Sequence, residues 1–334
     1  MHIYRNTDHL PPFRRAVITI GTFDGVHIGH QQILEQLRQE AARIGGETVI
    51  ITFHPHPRKV VKGGEVRLIN TLDEKIGLLT WKKVDHLVIV PFTEVFSQFT
   101  AEQYIKEFLL EKFQPHTIII GYDHRFGQGR LGDYHLLEDF SERERFALQE
   151  IPVHLLNAIS VSSTRIREAI MNADIATANE LLGYPFFFSG KVVEGNRLGR
   201  TIGYPTANLQ IGNPEKLIPG NGVYAVEVEI VPEGSSVLNE ATGSEIMAPE
   251  IAAAGDSSGR LHGMMNIGVR PTIDPANATR SIEVNIFDFN GDLYGQTLRI
   301  FVKKHLRGEQ KFNGLDALKA QLAKDGEDAR QALK

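Results

Sequence analysis

Apolar and polar positions follow two different patterns in the two halves of the chain. In the first half, short runs of β-branched residues alternate with stretches in which apolar residues recur at helical spacing. This alternation predicts βαβ units around a parallel sheet, that is, an open α/β fold. The predicted strands are 16–20, 47–53, 86–92, 117–121 and 151–155, and the predicted helices are 31–44 and 101–112.

The second half begins with two predicted helices, 163–171 and 174–182, which end at the helix breakers Gly183 and Pro185. Short alternating stretches separated by Gly, Pro and Asn then predict an antiparallel barrel or sandwich. These predicted strands are 186–194, 223–230, 264–267, 282–289 and 298–302, followed by a helix at 313–323. We therefore predict two domains, residues 1–183 and 184–334, the second with a long surface loop at 232–260.

Composition and charge narrow the classes of protein to which the chain can belong. Its 334 residues are 42% hydrophobic and 23% charged, which is typical of a soluble globular protein. No apolar run approaches the roughly 20 residues that cross a bilayer. The formal net charge of −5 gives no general attraction to nucleic acid or to an anionic membrane. Because the chain has no cysteine and no signal-peptide pattern, we expect a cytoplasmic protein without disulfides.

A glycine-containing segment, residues 21–30, follows the first predicted strand and opens the first helix. Glycine lets the backbone come close to a ligand, and free amides at a helix N-terminus favour an anion, so the position predicts a phosphate. His27 and His30 can each donate a hydrogen bond to phosphate oxygens, and a shared proton would stabilise charge on a pentacoordinate phosphorus. Metal ligation and local cap chemistry are alternatives that the segment alone leaves open.

The His-x-Gly-His pattern after a strand resembles the nucleotidyltransferase superfamily, which joins a nucleoside triphosphate to a phosphate or carboxylate. Residues 161–167 resemble the second element of that superfamily, which supplies hydroxyl and cationic groups to the triphosphate. Ser163 and Thr164 also suit a helix cap, whereas Arg165 and Arg167 stand in a first turn where cations are unfavourable without an anion. This mismatch favours a bound phosphate.

A Gly-x-Gly-x-x-Gly match at residues 127–132 offers a different interpretation, dinucleotide binding. The fingerprint requires a tight turn directly after the strand and an acidic residue at the end of the next strand. Several residues separate the predicted strand from Gly127, and no acidic residue clearly lies at the end of a following strand. We therefore expect no dinucleotide site here.

A second chemistry-bearing segment, residues 199–208, lies in the predicted barrel. Thr206 and Asn208 present two neutral oxygen ligands suited to Mg²⁺ that carries phosphates, although a capped loop is the alternative. Glu283 and Asn285 share one side of a predicted strand. A glutamate on a barrel strand is usually solvated, so a role as general base needs further context.

Motifs in order along nearly the whole chain resemble the bacterial bifunctional riboflavin kinase and FMN adenylyltransferase (FAD synthetase) family. The matching segments are 21–30, 53–57, 121–127, 162–167, 203–208, 221–226, 266–272 and 287–289. The resemblance implies a Rossmann-like nucleotidyltransferase domain with a parallel sheet, followed by a β-barrel riboflavin kinase domain. It also implies Mg²⁺, ATP as co-substrate, riboflavin and FMN as substrates, FMN and FAD as products, and no nucleic acid or membrane partner.

The resemblance also implies roles for residues at matching positions. Glu283 would accept the hydroxyl proton in the kinase, and His27 and His30 would act in adenylyl transfer. The implied nucleotide-binding residues are Gly21, Phe23, Asp24, Gly29, Ser163, Thr164, Arg167, Gly203, Thr206 and Asn208, the last two also holding the metal. The implied flavin-binding residues are Phe53, Asp123, Phe126 and Arg270. Leu198 and Asn285 depart from residues that the family often has, an arginine and a histidine respectively.

Overall fold

The computed structural model describes residues 1–121, 124–151, 161–195, 198–232, 259–269 and 280–334. The chain divides into two compact units. Among the described residues, the first unit contains Met1–Ser162 and the second contains the residues from Ser163 onward.

The first unit is built on a six-stranded sheet in which every neighbouring pair is parallel. The strands are β1 (His2–Tyr4), β2 (Val17–Ile20), β3 (Thr48–His54), β4 (His86–Pro91), β5 (Thr117–Gly121) and β6 (Ala147–Ile151), in the order β1-β4-β3-β2-β5-β6. Val17, Ile18, Val49, Ile50 and Ile51 are all inaccessible to solvent. Parallel strands covered on both faces are read from sequence as continuous apolar runs, which is why the sheet was predictable.

Helical segments connect these strands. They are α1 (Ile28–Ile44), α2 (Pro57–Lys62), α3 (Leu72–Trp81), α4 (Glu94–Ser97), α5 (Ala101–Gln103), α6 (Glu111–Phe113) and α7 (Tyr134–Glu144), with a π-helical stretch, Tyr104–Leu110, between α5 and α6.

The chain leaves β2 toward β3 on one side, and β5 pairs with β2 on the other side. Ligands of open parallel sheets bind outside the carboxyl ends of strands where the strand order reverses, so the segment after β2 lies at such a position.

The sequence prediction for this unit missed most of the edge strand β6. The predicted strand 151–155 shares only Ile151 with β6, and residues 152–160 lie outside the described part. Four of the five residues of β6 are exposed or half-buried, because an edge strand has only one neighbour. Its sequence therefore lacks the apolar run that marks the inner strands.

The second unit is a closed antiparallel barrel with helices packed on it, which confirms the predicted fold class. Its elements are α8 (Ser163–Met171), α9 (Ile175–Leu182), β7 (Phe186–Val193), α10 (Leu198–Thr201), β8 (Ala207–Gln210), β9 (Gly222–Val231), β10 (Leu261–Val269), β11 (Arg280–Ile286), β12 (Thr297–Arg307) and α11 (Leu315–Ala332). The strands close in the order β10-β11-β8-β7-β12-β9. The short strand β8 is absent from the prediction because it has only four residues, of which Leu209 alone is buried.

Helices α8 and α9 are attached to the rest of the second unit by hydrogen bonds that involve backbone groups. The Gly220 amide donates to the Ile170 carbonyl at 3.1 Å, and Asn179 Nδ2 donates to the Val302 carbonyl at 2.9 Å. Asn179 Oδ1 accepts from the Phe186 amide at 2.7 Å, which joins α9 to the first barrel strand.

The domain boundary between residues 183 and 184 stays a prediction. Most of the predicted loop 232–260 lies outside the described residues.

The last helix, α11, is held against the barrel by a buried ion pair. Arg307 at the end of β12 donates from Nε and Nη2 to the two carboxylate oxygens of Asp325, at 2.9 and 2.6 Å. Asp325 is 1% exposed, and Gln321 Nε2 also donates to it at 2.8 Å. The helix extends nine residues beyond the predicted end at 323, because its solvent-facing residues are polar all along and hide the apolar period.

Within the described residues, no helix combines the length and the hydropathy that crossing a bilayer requires.

Candidate active sites

The segment between β2 and α1 is held in a strained loop at the carboxyl end of the sheet. The Thr22 carbonyl accepts hydrogen bonds from the Thr52 hydroxyl at 3.2 Å and from Lys75 Nζ at 2.7 Å. Phe23 and Val26 have φ values of 46° and 37°. Positive φ is rare for a bulky residue and rarer for a β-branched one, and such strain persists only where surrounding contacts impose it.

Asp24 supports this loop from inside. The side chain is 1% exposed, and Oδ1 accepts hydrogen bonds from the backbone amides of Ile69 and Asn70 at 3.0 and 3.2 Å. These amides precede α3, so Asp24 ties the loop to that helix. Its predicted contact with a nucleotide stays a prediction.

His27 and His30 lie together at the N-terminus of α1. His27 is the N-cap residue, and its Nδ1 accepts from the His30 amide at 3.3 Å. The two imidazole rings stack with centroids 3.6 Å apart and planes 14° apart. The Nδ1 atom of His30 is buried and has no hydrogen-bond partner among the described residues. The sequence prediction of two paired histidines facing one anion site therefore has the required proximity.

Burial keeps both imidazoles neutral near pH 7. It lowers the pKa of His27 to about 4, partly opposed by the negative charge of Asp24. It lowers the pKa of His30 well below the ordinary value, and the neighbouring His27 and Lys75 lower it further. A neutral imidazole still carries one N–H donor. The pair can therefore donate hydrogen bonds to phosphate, whereas the shared proton considered from the sequence is disfavoured before an anion binds.

Neighbouring glycines of this segment are placed for close packing. Gly21 donates its amide to the Ile51 carbonyl at 3.0 Å, and Gly29 is buried in the first turn of α1.

Metal ligation by the histidines was the alternative interpretation. The described part of the chain contains no group of three or more His, Asp or Glu side chains that could hold a metal ion.

Lys75 belongs to this site and was missed by sequence reasoning. It is 8% exposed, and its ammonium group points at the loop through the Thr22 carbonyl. Residues 72, 75, 76 and 79 share one face of a helix, so Lys75 interrupts an apolar face in α3. That interruption is the signal that could have identified it.

The two predicted flavin contacts that the structure describes lie in an aromatic cluster of the core. Phe53 packs against Phe92 and Phe96, with ring centroids 5.5 and 5.8 Å apart. Phe126 is 5% exposed and stacks on Tyr104 at 5.0 Å. Both rings thus have a packing role, and their contact with flavin stays a prediction.

The Gly-x-Gly-x-x-Gly segment forms a turn that packs on its neighbours. A 3₁₀ turn spans Gln128–Arg130, and Phe126 pairs with Gly132 in an isolated bridge. A side chain at Gly132 would clash with the Phe126 ring, and one at Gly127 would clash with the backbone of Ala101. Close packing explains these glycines. The expectation of no dinucleotide site stays a prediction.

The second candidate site is a cavity of about 320 Å³ between the barrel and α11. Glu283 and Thr206 line it together with apolar side chains that include Met264, Phe312 and Leu322. Ile282, Val284 and Ile286 alternate with Glu283 along β11 and are buried, so the glutamate faces away from the barrel core.

Strand register places amide side chains on both sides of Glu283. Its backbone partner on β8 is Asn208, and its partner on β10 is Asn266. Residues directly opposite in adjacent strands project from the same face. The sheet therefore brings Glu283 and Asn208 together, as the sequence prediction requires, and adds Asn266, which also lines the cavity.

Two glycines pack directly against the predicted metal ligands. A side chain at Gly195 would clash with the Asn208 amide group, and one at Gly199 would clash with the Tyr204 carbonyl and crowd Thr206 Oγ1. Gly203 has a φ of 86°, where glycine is favoured. The loop before β8 therefore needs these glycines to fold closely around Thr206 and Asn208.

Asn285 fixes the same loop from the neighbouring strand. Its side chain is 8% exposed, and Nδ2 donates to the Pro205 carbonyl at 2.7 Å. Pro205 immediately precedes Thr206. The departure from the family pattern noted at this position thus has a defined structural role here.

For the riboflavin kinase activity that the resemblance implies for the second unit, we expect Asn285→Ala to raise the KM for ATP by about fivefold to tenfold, since the lost bond frees the loop that holds Thr206. Titrating initial rates of riboflavin phosphorylation against ATP measures this. Asn285→His, the residue common in the family, should keep the KM within about twofold by donating to the same carbonyl. Equal KM values for wild type and Asn285→Ala would contradict the assigned role.

Glu309 is another cavity residue that sequence reasoning missed. Its Oε2 accepts from Asn221 Nδ2 at 2.9 Å, and its Oε1 accepts from the Val269 amide at 3.3 Å. The carboxylate thereby joins the end of β12 to β10. Arg307 and Asp325, the anchors of α11, also line the cavity.

Some predicted site residues are assigned to neither candidate site. Asp123 and Arg270 lie outside the described residues. Ser163, Thr164 and Arg167 lie within the first five positions of α8, as predicted, and belong to the second unit. The nucleotide and flavin contacts assigned to these residues stay predictions.

Comparison with known proteins gives the two units separate matches. The FAD synthetase family model matches residues 11–165, and the riboflavin kinase family model matches residues 182–333. The chain belongs to the bifunctional riboflavin kinase/FMN adenylyltransferase family. The order of the two matches is the order of the α/β sheet and the barrel.

Relatives cover both units of the chain. The bifunctional riboflavin kinase/FMN adenylyltransferase of Escherichia coli K12 is 34% identical over 96% of this chain and 93% of its own length. The Haemophilus influenzae protein of the same name is 35% identical over 94% of this chain and 93% of its own. A crystal structure described as a macrolide-efflux protein from Streptococcus pneumoniae has a TM-score of 0.80, 29% identity and 98% coverage of both chains. It shares the two-unit fold.

Proposed function

We infer that this chain makes FAD from riboflavin in two ATP-dependent steps, using one site in the barrel unit and one at the α/β sheet. The observation that carries the inference is that a single chain combines two different sets of groups. Glu283 faces Asn208 beside Thr206 in the barrel, and two stacked, buried imidazoles lie at a helix N-terminus in the α/β unit.

In the first step, Glu283 accepts the proton of the ribityl 5′-hydroxyl of riboflavin as its oxygen attacks the γ-phosphorus of ATP. The new O–P bond forms while the bond to the β-phosphate oxygen breaks, which gives FMN and ADP. The apolar wall that includes Met264, Phe312 and Leu322 suits the flat ring system of riboflavin. With the rings against that wall, the polar ribityl chain would extend toward Glu283.

Thr206 and Asn208 would hold Mg²⁺ with ATP in the barrel unit. The donor set fits, because a hydroxyl and an amide oxygen are hard neutral ligands and the phosphates complete the coordination. The glycines packed against both side chains keep them in place. When bound, Mg²⁺ neutralises charge on the transferring phosphate.

In the second step, a phosphate oxygen of FMN attacks the α-phosphorus of a second ATP, and pyrophosphate leaves. His27, His30 and the free amides at the start of α1 donate hydrogen bonds to the phosphate oxygens of the nucleotide. Charge grows on these oxygens in the transition state, so fixed donors stabilise it more than the ground state. Binding of the anion raises the tendency of the imidazoles to hold a proton at the time it is needed.

The test is incubation of the purified chain with riboflavin, ATP and Mg²⁺, followed by chromatographic separation of the flavins. We expect FMN first and FAD later, with ADP and pyrophosphate as the other products. Formation of neither FMN nor FAD would overturn the inference. Formation of one product would indicate a single active unit, and flavin binding without ATP consumption would indicate a binding protein. The expected cytoplasmic location stays a prediction.

A further inference from the structure

A buried lysine beneath the histidine loop has no role in the mechanism above. Lys75 is 8% exposed, and among the described residues the only hydrogen-bond acceptor of its Nζ is the Thr22 carbonyl, at 2.7 Å. An ammonium group has three N–H donors. Taking such a group out of water costs several kcal/mol unless it is well paired, so packing alone does not explain a lysine here.

Contacts of Lys75 connect three parts of the α/β unit. The lysine belongs to α3, its acceptor Thr22 belongs to the loop, and Thr52 on β3 donates to the same carbonyl at 3.2 Å. Asp24, whose charge acts on Lys75, holds the amides of Ile69 and Asn70 just before α3. Loop, strand and helix are thus held together around one carbonyl group, five residues before the His27 cap.

We propose that Lys75 is a positioning residue of the adenylyl-transfer site, which holds the Thr22 carbonyl and thereby the orientation in which the loop presents His27 and His30. The proposal rests on the adenylyl-transfer step inferred above. Positive φ at Phe23 and Val26 supports it, because a strained loop keeps its shape only while its anchors are in place. The positive charge also adds to the field that favours an anion next to the histidines.

A second consequence concerns the protonation of His30. Among the described groups, His27 and Lys75 act on His30 to lower its pKa, after burial, which is the largest cause, and Asp24 acts on His27 and Lys75. Removing the positive charge of Lys75 would raise the pKa of His30. As the solution is acidified, the imidazole of His30 would then become protonated at a higher pH than in the wild type.

The test compares Lys75→Met, Lys75→Arg and Lys82→Met in the full chain, with FMN and ATP as substrates. For Lys75→Met we expect kcat for FAD formation to fall about 30-fold, since displaced groups lose near-attack geometry. The acidic limb of kcat/KM against pH should move to higher pH. Riboflavin phosphorylation by the same samples should stay within about twofold, which serves as an internal measure of intact protein.

The other two variants separate position from charge and from composition. Lys75→Arg keeps the charge, so its acidic limb should coincide with that of wild type even if kcat falls. Lys82→Met makes the same change at the opposite end of α3, beside Trp81, and should leave FAD formation unchanged. If Lys75→Met unfolds, Lys75→Arg decides, because a displaced acidic limb in that variant overturns the proposal.

Wild-type kcat and pH dependence in Lys75→Met, with only a lower melting temperature, would show that the lysine is structural and would overturn the proposal. A wild-type chain that makes no FAD would instead remove the adenylyl-transfer step itself. The two failures are therefore distinguishable.

Discussion

Glu283→Gln should lower kcat for FMN formation by about 10²-fold or more, the usual loss when a general base is removed. Glutamine keeps the size and the hydrogen-bonding reach of the side chain but cannot accept the ribityl proton. The loss should therefore appear in kcat, with the KM for ATP and for riboflavin nearly unchanged. Initial rates of ADP release with riboflavin as acceptor measure it.

FAD formation from supplied FMN is the matched control for Glu283→Gln, because its groups lie in the other unit. That rate should stay within about twofold of wild type. Asn266→Ala provides a second control on the same cavity wall, since it removes a neighbour of Glu283 without removing the base. A Glu283→Gln enzyme with wild-type kcat would mean that the proton leaves by another route.

Removing the imidazoles at the start of α1 should impair the other reaction, FAD formation, and spare FMN formation. We expect His27→Asn and His30→Ala each to lower kcat/KM for FAD formation by about 10²-fold to 10³-fold, as found when a donor to a transition-state oxyanion is lost. Phosphorylation of riboflavin should be unaffected. Release of pyrophosphate with FMN and ATP as substrates measures the change.

Asparagine is the informative replacement for His27 because His27 also caps the helix. Its Nδ1 accepts from the His30 amide, and asparagine is among the best cap residues, so His27→Asn keeps the cap while deleting the imidazole. His27→Ala loses both, at an additional cost of about 1 kcal/mol of helix stability. Full FAD formation by His27→Asn together with a defect in His27→Ala would assign the residue to the cap alone.

The parts of the fold that were predictable from sequence are those with strong apolar periodicity. The inner parallel strands are solidly apolar, and the helices Ser163–Met171 and Ile175–Leu182 carry a clear amphipathic pattern. Strand β8 and edge strand β6 lack that signal, since each has a single buried residue. Their places are set by neighbouring strands, which a local pattern does not contain.

A similar division holds for the sites. Residues within short motifs, such as His27, His30, Thr206 and Asn208, were named from the sequence because spacing brings them together. Lys75 lies more than forty residues from the histidines and reaches the loop only through the fold. Local spacing does not reveal such a contact, although a lysine on an apolar helix face is a recognisable anomaly.

Helix α11 contributes Leu318 and Leu322 to the wall of the barrel cavity, and Arg307 and Asp325 hold it there. Residues 308–314, which lead into it, are mostly exposed. One protease cut in this connection would loosen the wall proposed to receive riboflavin and leave the α/β sheet covalently intact. The nicked enzyme would depend on FMN from elsewhere, because its own supply would have stopped.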